Sequence, residues 1–360
     1  MRVLLLSRYC RQGATSRMRS LQYLPFLENH GIKVEVNPLY DETYLNNLYE
    51  NNTRELGNVL RRYLKRAFSL ASCRQYDLIW LEQEVFPWFP PVVERFLHRL
   101  GIPYVVDYDD AIFHRYDRHD RRLVRRLLGN KIDQIMKNAA LVIAGNRYLA
   151  DRACRAGSRN VQIIPTVVDL NRYGHASRPE AEPFTIGWIG SPSTFVYLRT
   201  LAPVLIALMN RYPIRVTLIG ATGDAKTGLP FEFYPWTEAS EVAMLHSFDV
   251  GIMPLPDTPW ARGKCGYKLI QSMACGLPVV ASKVGANIDI VQHGKNGFLV
   301  SSSKQWFKAL ECLFTQPDLH RQMGRSARRT VEEKYHLGIT APRMANCLLA
   351  LGTQQPGNIK

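Results

Sequence analysis

The sequence predicts an α/β protein of two Rossmann-like domains, each a doubly wound parallel sheet, facing one another across a cleft. Three observations carry this prediction. Short Val/Ile/Leu-rich runs alternate with longer segments of helical period. The runs are apolar on both faces, as strands covered by helices on both sides must be. The alternation breaks once, at a polar, proline-bearing stretch, and then restarts. A chain of 360 residues is long enough to bury two cores.

In order along the chain, Val3–Leu6, Lys33–Val36, Leu78–Leu81, Tyr104–Val106, Leu141–Ala144 and Val161–Ile164 read as the strands of the first domain. His175–Pro183 is the linker. Thr185–Ile189, Arg215–Ile219, Val250–Met253, Pro278–Ala281 and Gly297–Val300 read as the strands of the second. The expected domains are 1–176 and 184–337, and a last helix over about 338–352 is expected to complete the first. The opening apolar run, Val3–Leu6, is too short for a signal-peptide core, and no stretch reaches the ~18 apolar residues of a spanning helix.

The charge balance points to anionic partners. There are 46 Lys+Arg against 31 Asp+Glu, a net charge of +15, and residues 1–180 hold 28 of the basic and 19 of the acidic ones. The excess is therefore +9 in the first half and +6 in the second, spread rather than confined to a tail. With no helix-turn-helix, zinc-finger, RRM or KH signature, nucleic acid is not the expected partner. Seven widely spaced cysteines without a C-x-x-C pair suggest reduced thiols in a cytoplasmic protein, with neither disulfides nor a zinc site.

Two basic segments stand out in the first half. In Arg54–Phe68, Leu56, Val59, Leu60, Tyr63, Leu64, Ala67 and Phe68 follow helical spacing, and Arg54, Arg61, Arg62, Lys65 and Arg66 occupy the other face. Arg115–Lys137 carries Arg118, Arg121, Arg122, Arg125 and Arg126. The expectation is that the apolar stripe packs inward while the basic face lies against an anionic membrane surface.

Chemistry is expected in Pro254–Ser282, which reads strand end, loop, helix, turn, strand. Gly263, Cys265 and Gly266 open the helix that begins near Tyr267, so a phosphate can approach its N–H groups and meet the positive end of its dipole. Lys264 and Lys268 add two cations at that end, where a lysine opposes the dipole unless an anion binds. In the first half, Gly13–Arg19 follows the first strand. Ser16 is expected to cap a helix there, and Arg17 and Arg19 to reach an anionic ligand. Asp107, Asp109 and Asp110 cluster at the carboxyl end of the Tyr104–Val106 strand, placed for hydroxyl binding or proton transfer.

These motifs resemble those of the family-4 retaining glycosyltransferases, enzymes of GT-B fold. Ser272-Met-Ala-Cys-Gly276 with Pro278-Val-Val-Ala281, Gly285, Asp289-Ile-Val291, His293–Val300 and Ile164-Pro-Thr-Val-Val-Asp169 match the family's segments over most of the second domain and the hinge. Two departures are equally clear: the signature's first glutamate position is Gly263 and its second is Gln271. The usual Arg and Lys of the second domain's first turn are also absent; here that turn reads Gly187-Trp-Ile-Gly-Ser-Pro-Ser-Thr194.

The resemblance implies transfer of a sugar from a nucleotide-diphosphate sugar, with retention, to a glycan or lipid-linked acceptor of cell-surface polysaccharide. It places the acceptor in the first domain and requires no metal or other cofactor. It assigns Lys264, Lys268, Asp109 and Asp110 to catalysis. Gly13, Arg17, Gly190, Ser191, Thr194, Gly263, Cys265, Gly266, Tyr267 and Gln271 go to the donor, and Arg19, Asp107 and Asn146 to the acceptor or sugar. The expected place is the cytoplasm, peripheral on the inner face of the plasma membrane. A nucleotide-sugar 2-epimerase of the same fold is the alternative; it needs paired acid and base groups at the sugar, and the loss of the first signature glutamate counts against it.

Overall fold

The computed structural model describes residues 1–45, 56–174, 183–221 and 228–352. By internal packing the chain divides into two units: Met1–Thr166 with Gly338–Lys360, and Val167–Leu337. The chain passes from one to the other inside the Ile164–Asp169 segment. The expected linker, apart from Pro183, lies outside the described residues.

In the first unit, β1 (Arg2–Leu6), β2 (Lys33–Val36), β3 (Leu78–Glu82), β4 (Tyr104–Tyr108), β5 (Leu141–Ala144) and β6 (Val161–Ile163) form one sheet in the order β2-β1-β3-β4-β5-β6. Every pairing is parallel. β3, β4 and β5 are buried at every position, which is why their sequences read as unbroken apolar runs. The helix Leu337–Gly352 returns to this unit. There the Tyr23 and Thr340 hydroxyls lie 3.0 Å apart, and Arg343 Nη2 donates to the Ile163 carbonyl at 2.9 Å.

In the second unit, β7 (Phe184–Ile189), β8 (Ile214–Ile219), β9 (Glu232–Tyr234), β10 (Val250–Met253), β11 (Val279–Ser282) and β12 (Gly297–Val300) form a second parallel sheet, ordered β12-β11-β10-β7-β8-β9. β9 was not expected: Glu232-Phe-Tyr234 contains no Val, Ile or Leu and so does not read as one of the apolar runs. Trp188, Leu198, Leu205, Leu218 and Leu310 share the core.

Two glycines set how closely other groups approach this sheet. A Cβ on Gly251 of β10 would lie 2.3 Å from Ser272 Oγ, so the helix Tyr267–Ala274 sits directly on the strand. A Cβ on Gly187 of β7 would lie 1.9 Å from Phe248 Cδ2. Phe248 is buried and enclosed, with little room to withdraw. Gly187→Ala is therefore expected to destabilise the fold by about 1–3 kcal/mol through overpacking, read as a lowered urea midpoint with unchanged m-value.

Candidate functional site

In a doubly wound sheet the ligand crevice forms where the strand order reverses, because the loops leaving the two neighbouring strands there run to opposite faces. In the second unit that point lies between β7 and β10. After β7 the chain turns through Gly190 and Ser191 into the helix Pro192–Arg199, with Ser191 at its N-cap. After β10 it runs through the 254–266 loop into the helix Tyr267–Ala274, entered through Gly266 at φ 67°. Only glycine adopts that conformation cheaply, and a Cβ would also strike Ile290 at 2.2 Å.

Lys268 joins the two loops. Its Nζ donates to Thr194 Oγ1 at 3.0 Å and lies 4.2 Å from the centre of the Trp188 ring. A Cβ on Gly190 would come within 2.4 Å of that ammonium and 2.5 Å of the buried Trp188 ring, so a side chain there would have to displace one or both. A lysine held beside the N-terminal end of Pro192–Arg199 adds positive charge to positive dipole. The indole face and hydroxyl offset part of that repulsion; an anion bound between the loops would remove the rest. Lys264 is half-buried, 5.9 Å from the centre of the Trp260 ring. Gly263 ends the short helix Pro259–Arg262, and Cys265 is a buried free thiol.

Gln271 is buried, and its Nε2 donates to Tyr173 Oη at 3.3 Å. The Tyr173 hydroxyl in turn donates to Glu241 Oε1 at 3.2 Å, and Trp236 Nε1 donates to Glu241 Oε2 at 2.7 Å. Gln271 is therefore tied into a buried network, and Tyr267 hydrogen-bonds the same phenol. Burial raises the Tyr173 phenol well above its ordinary value, so it stays protonated and can donate.

The first unit reverses between β1 and β3, and a second polar cluster sits there. Arg8 Nη1 donates to Gln83 Oε1 at 2.8 Å, and Gln83 Nε2 donates to Asp109 Oδ1 at 3.0 Å. Glu84 accepts from Lys131 Nζ at 2.6 Å and from Tyr116 Oη at 2.8 Å, with Arg8 Nη1 3.6 Å away. Asp109 and Asp110 are half-buried at the strand end, within reach of a ligand.

Several expected residues are placed otherwise. Arg19 and Asp107 do not face a ligand: both are buried, joined by Nε–Oδ1 and Nη2–Oδ2 contacts of 2.8 and 3.1 Å. Arg19 Nη1 also donates to the Ile164 carbonyl at 2.9 Å. With Thr166 Oγ1 also accepting at 3.2 Å, the guanidinium makes four contacts to three buried residues and stabilises the sheet, which corrects the acceptor role expected of this pair. Ser16 does not cap a helix. Gly13 is the N-cap of Ala14–Arg19, pressed against Tyr9, and Ser16 Oγ donates to Glu82 Oε2 at 2.5 Å. Arg17 is buried and turns back on the loop, donating to the Arg11 carbonyl at 3.3 Å. Asn146 caps the helix Arg147–Arg155, accepting from Leu149 N–H at 3.0 Å. Glu82, Gln83, Glu84, Lys131 and Glu241 were missed. The polar triplet Glu82-Gln83-Glu84, abruptly ending an apolar strand, was the available signal.

Residues 184–316 match the family model described as Glycosyl transferases group 1. The match to this family covers most of the second unit and does not extend into the first. D-inositol 3-phosphate glycosyltransferase of Arthrobacter sp. (strain FB24) is 28% identical over 194 residues, covering 47% of this chain and 45% of that relative. The chain thus matches about half the length of such curated relatives. Sucrose-phosphate synthase from Thermosynechococcus elongatus superposes with a TM-score of 0.75 at 18% identity, over 99% of this chain and 100% of that one. Anabaena HepE in complex with UDP-glucose gives 0.73 at 18% identity, over 97% and 100%. The fold is GT-B.

One face of the first unit is turned opposite to expectation. In the helix Leu56–Ala71, Arg66 points inward, 1% exposed, and donates to the Asn37 carbonyl at 2.6 Å, whereas Leu60, Leu64 and Phe68 are 64%, 52% and 77% exposed. The apolar stripe is therefore outward, with Arg61 and Lys65 beside it; Arg54 lies outside the described residues. Tyr63 stacks on Phe86 and meets Phe89, and Trp88 packs edge-on against Tyr116 and His119. Arg125 Nη1 bonds the His119 and Asp120 carbonyls. This chain of contacts joins exposed Trp88 and Phe89 to the helix Arg122–Leu128, which exposes Leu123, Leu127, Arg122, Arg125 and Arg126.

Burial pushes the Glu82 carboxyl up to about 7, against the hydrogen bonds from Ser16, Ser20 and Arg8 N–H, and pushes Asp107 up to about 6 against the Arg19 charge. A carboxyl raised by folding binds its proton more tightly in the native state. Its contribution is full below the unfolded value and is lost as pH rises toward the folded one. Stability is expected to fall between about pH 4.5 and about pH 7, and Glu82→Gln to flatten that fall, in denaturant midpoints taken across the range.

Proposed function

We propose that this chain is a retaining glycosyltransferase that moves a sugar from a nucleotide-diphosphate sugar to a glycan or lipid-linked acceptor of cell-surface polysaccharide. The carrying observation is Lys268 Nζ, 3.0 Å from Thr194 Oγ1 at the point where strands β7 and β10 diverge. Two helix N-termini and a fixed cation converge there on the space a diphosphate needs. UDP-glucose in the HepE neighbour supports a donor of this class, and the name of the inositol 3-phosphate relatives supports glycosyl transfer.

In this reading the diphosphate leaves with its charge already met by Lys268, Lys264 and the helix dipoles, so stabilisation is in place before the bond breaks. Gly190, Ser191, Thr194, Gly263, Cys265, Gly266 and Tyr267 shape the donor site, and Gln271 sets its floor through Tyr173. With retention, the acceptor hydroxyl attacks from the face the diphosphate leaves, and a departing phosphate oxygen takes the proton. Asp109 and Asp110 orient the acceptor by its hydroxyls. No divalent cation is needed: Asp107 is committed to Arg19 and Asp109 to Gln83, so the two carboxylates do not converge on one ion.

The membrane reading rests on the outward stripe of the first unit. Leu60, Leu64, Phe68, Trp88, Phe89, Leu123 and Leu127 would enter the headgroup boundary, and the neighbouring arginines would meet anionic lipid. A lipid-linked acceptor would then be concentrated at the enzyme. The seven free cysteines suit a reducing, cytoplasmic setting.

Lys264→Ala and Lys268→Ala are each expected to weaken UDP-glucose binding by about 1.5–3 kcal/mol in calorimetry, with wild-type turnover the same in EDTA. Unchanged affinity in both variants, or turnover abolished by EDTA and restored by manganese, would count against the site. In vesicle flotation the protein is expected to rise with anionic but not neutral liposomes. Leu64→Glu with Phe68→Glu should abolish this without altering the fold, since both side chains already face solvent.

A further inference from the structure

We propose that Gln83 is a positioning residue that holds Arg8 and Asp109 apart as a bridged cation–carboxylate pair at the reaction face of the first unit. The inference rests on the glycosyltransferase reading above, to which it adds a residue outside the segments that carry the family resemblance.

Gln83 adopts φ 66°, the left-handed region that glycine enters freely and a glutamine does not. It is buried, and it sits immediately after β3, beside the β1–β3 reversal. Its backbone is held by an N–H bond to the Asp107 carbonyl at 3.0 Å. A glycine would satisfy that backbone without strain, so the side chain is what the position retains.

The carboxamide explains why. Its oxygen accepts from Arg8 Nη1 at 2.8 Å, and its nitrogen donates to Asp109 Oδ1 at 3.0 Å. The charges at the two ends dictate which amide atom faces which partner. Among uncharged side chains an amide is suited to this, because it carries an acceptor and a donor on one planar group. A carboxylate in its place would repel Asp109, and an ammonium would repel Arg8. Arg8 also leans on Glu84, 3.6 Å away, while Asp109 lies two residues beyond Asp107, which is spent on Arg19. Without the bridge, Arg8 and Asp109 are free to close on one another, and the acceptor would lose both an oriented carboxylate and a nearby cation.

The test uses UDP-glucose as donor, with water as acceptor and UDP release as the signal. Gln83→Gly relieves the strained backbone but loses two hydrogen bonds, so it should stay folded with a thermal midpoint close to that of wild type. Its kcat should nevertheless fall by about tenfold to about a hundredfold, with KM for UDP-glucose unchanged. Gln83→Glu, which keeps the shape but adds a charge beside Asp109, should move the acidic limb of the pH–rate profile upward. A folded Gln83→Gly protein with wild-type kcat, together with an unmoved limb in Gln83→Glu, would overturn the proposal. Wild-type protein that releases no UDP overturns the glycosyltransferase reading instead. The bridge is then decided without substrate, by the Asp109 carboxyl titration in protein labelled with carbon-13 aspartate. A titration displaced in Gln83→Glu supports it, and identical curves overturn it.

Discussion

Everything of chemical interest in this protein depends on one constraint of parallel sheets: where the strand order reverses, two adjacent strands send their chains to opposite faces and leave a gap between them. The β1–β3 and β7–β10 pairs both meet it. In each unit the gap is spanned by polar side chains rather than closed by apolar packing. Lys268 reaches Thr194 across the second, and Arg8 reaches Gln83 across the first. Ser16 on Glu82 and Arg19 on Asp107 then anchor the first unit's opening loop and helix to the strand ends beneath. Removing one member of such a buried pair leaves an uncompensated charge, so these contacts hold their geometry firmly.

The two clusters differ in character. The second unit sets Lys268 against a hydroxyl and a ring face beside a helix N-terminus, an arrangement suited to a ligand that brings its own negative charge. The first unit alternates signs, cation to amide to carboxylate, and so is close to neutral before anything binds. A doubly negative diphosphate matches the former. Hydroxyl groups, which both donate and accept, match the latter.

Eleven of the twelve strands among the described residues were legible in the sequence, the central ones because parallel strands buried on both faces are written as apolar runs; β9 was not, because Glu232-Phe-Tyr234 lacks the Val, Ile or Leu that marks the others. The Gly263–Gln271 segment was legible for a similar reason, since glycines and lysines at a helix start are unusual together. What could not be read was direction. Helical spacing in Leu56–Ala71 is satisfied equally by a stripe facing in or out, and only the packing of Arg66 against the strand ends decides that Leu60, Leu64 and Phe68 face outward. Likewise Arg19 and Asp107, 88 residues apart, look like ligand groups singly and become a buried pair only once β4 is placed beside the first helix. The triplet Glu82-Gln83-Glu84 was readable as a polar end to an apolar strand, but the backbone angle that sets Gln83 apart within it was not.

The return of the last helix to the first unit has a consequence for how the chain is made. The second unit runs without interruption from Val167 to Leu337, and its two ends are laced together: Val168 N–H bonds the Tyr335 carbonyl at 3.1 Å, and Leu337 N–H bonds the Val168 carbonyl at 2.9 Å. It is thus an insert with adjoining ends. As synthesis proceeds from the amino terminus, this insert emerges whole while the first unit still lacks the helix that meets Tyr23 and Ile163. The order of completion is therefore the reverse of the order of the strands, and the unit begun first is the one finished last.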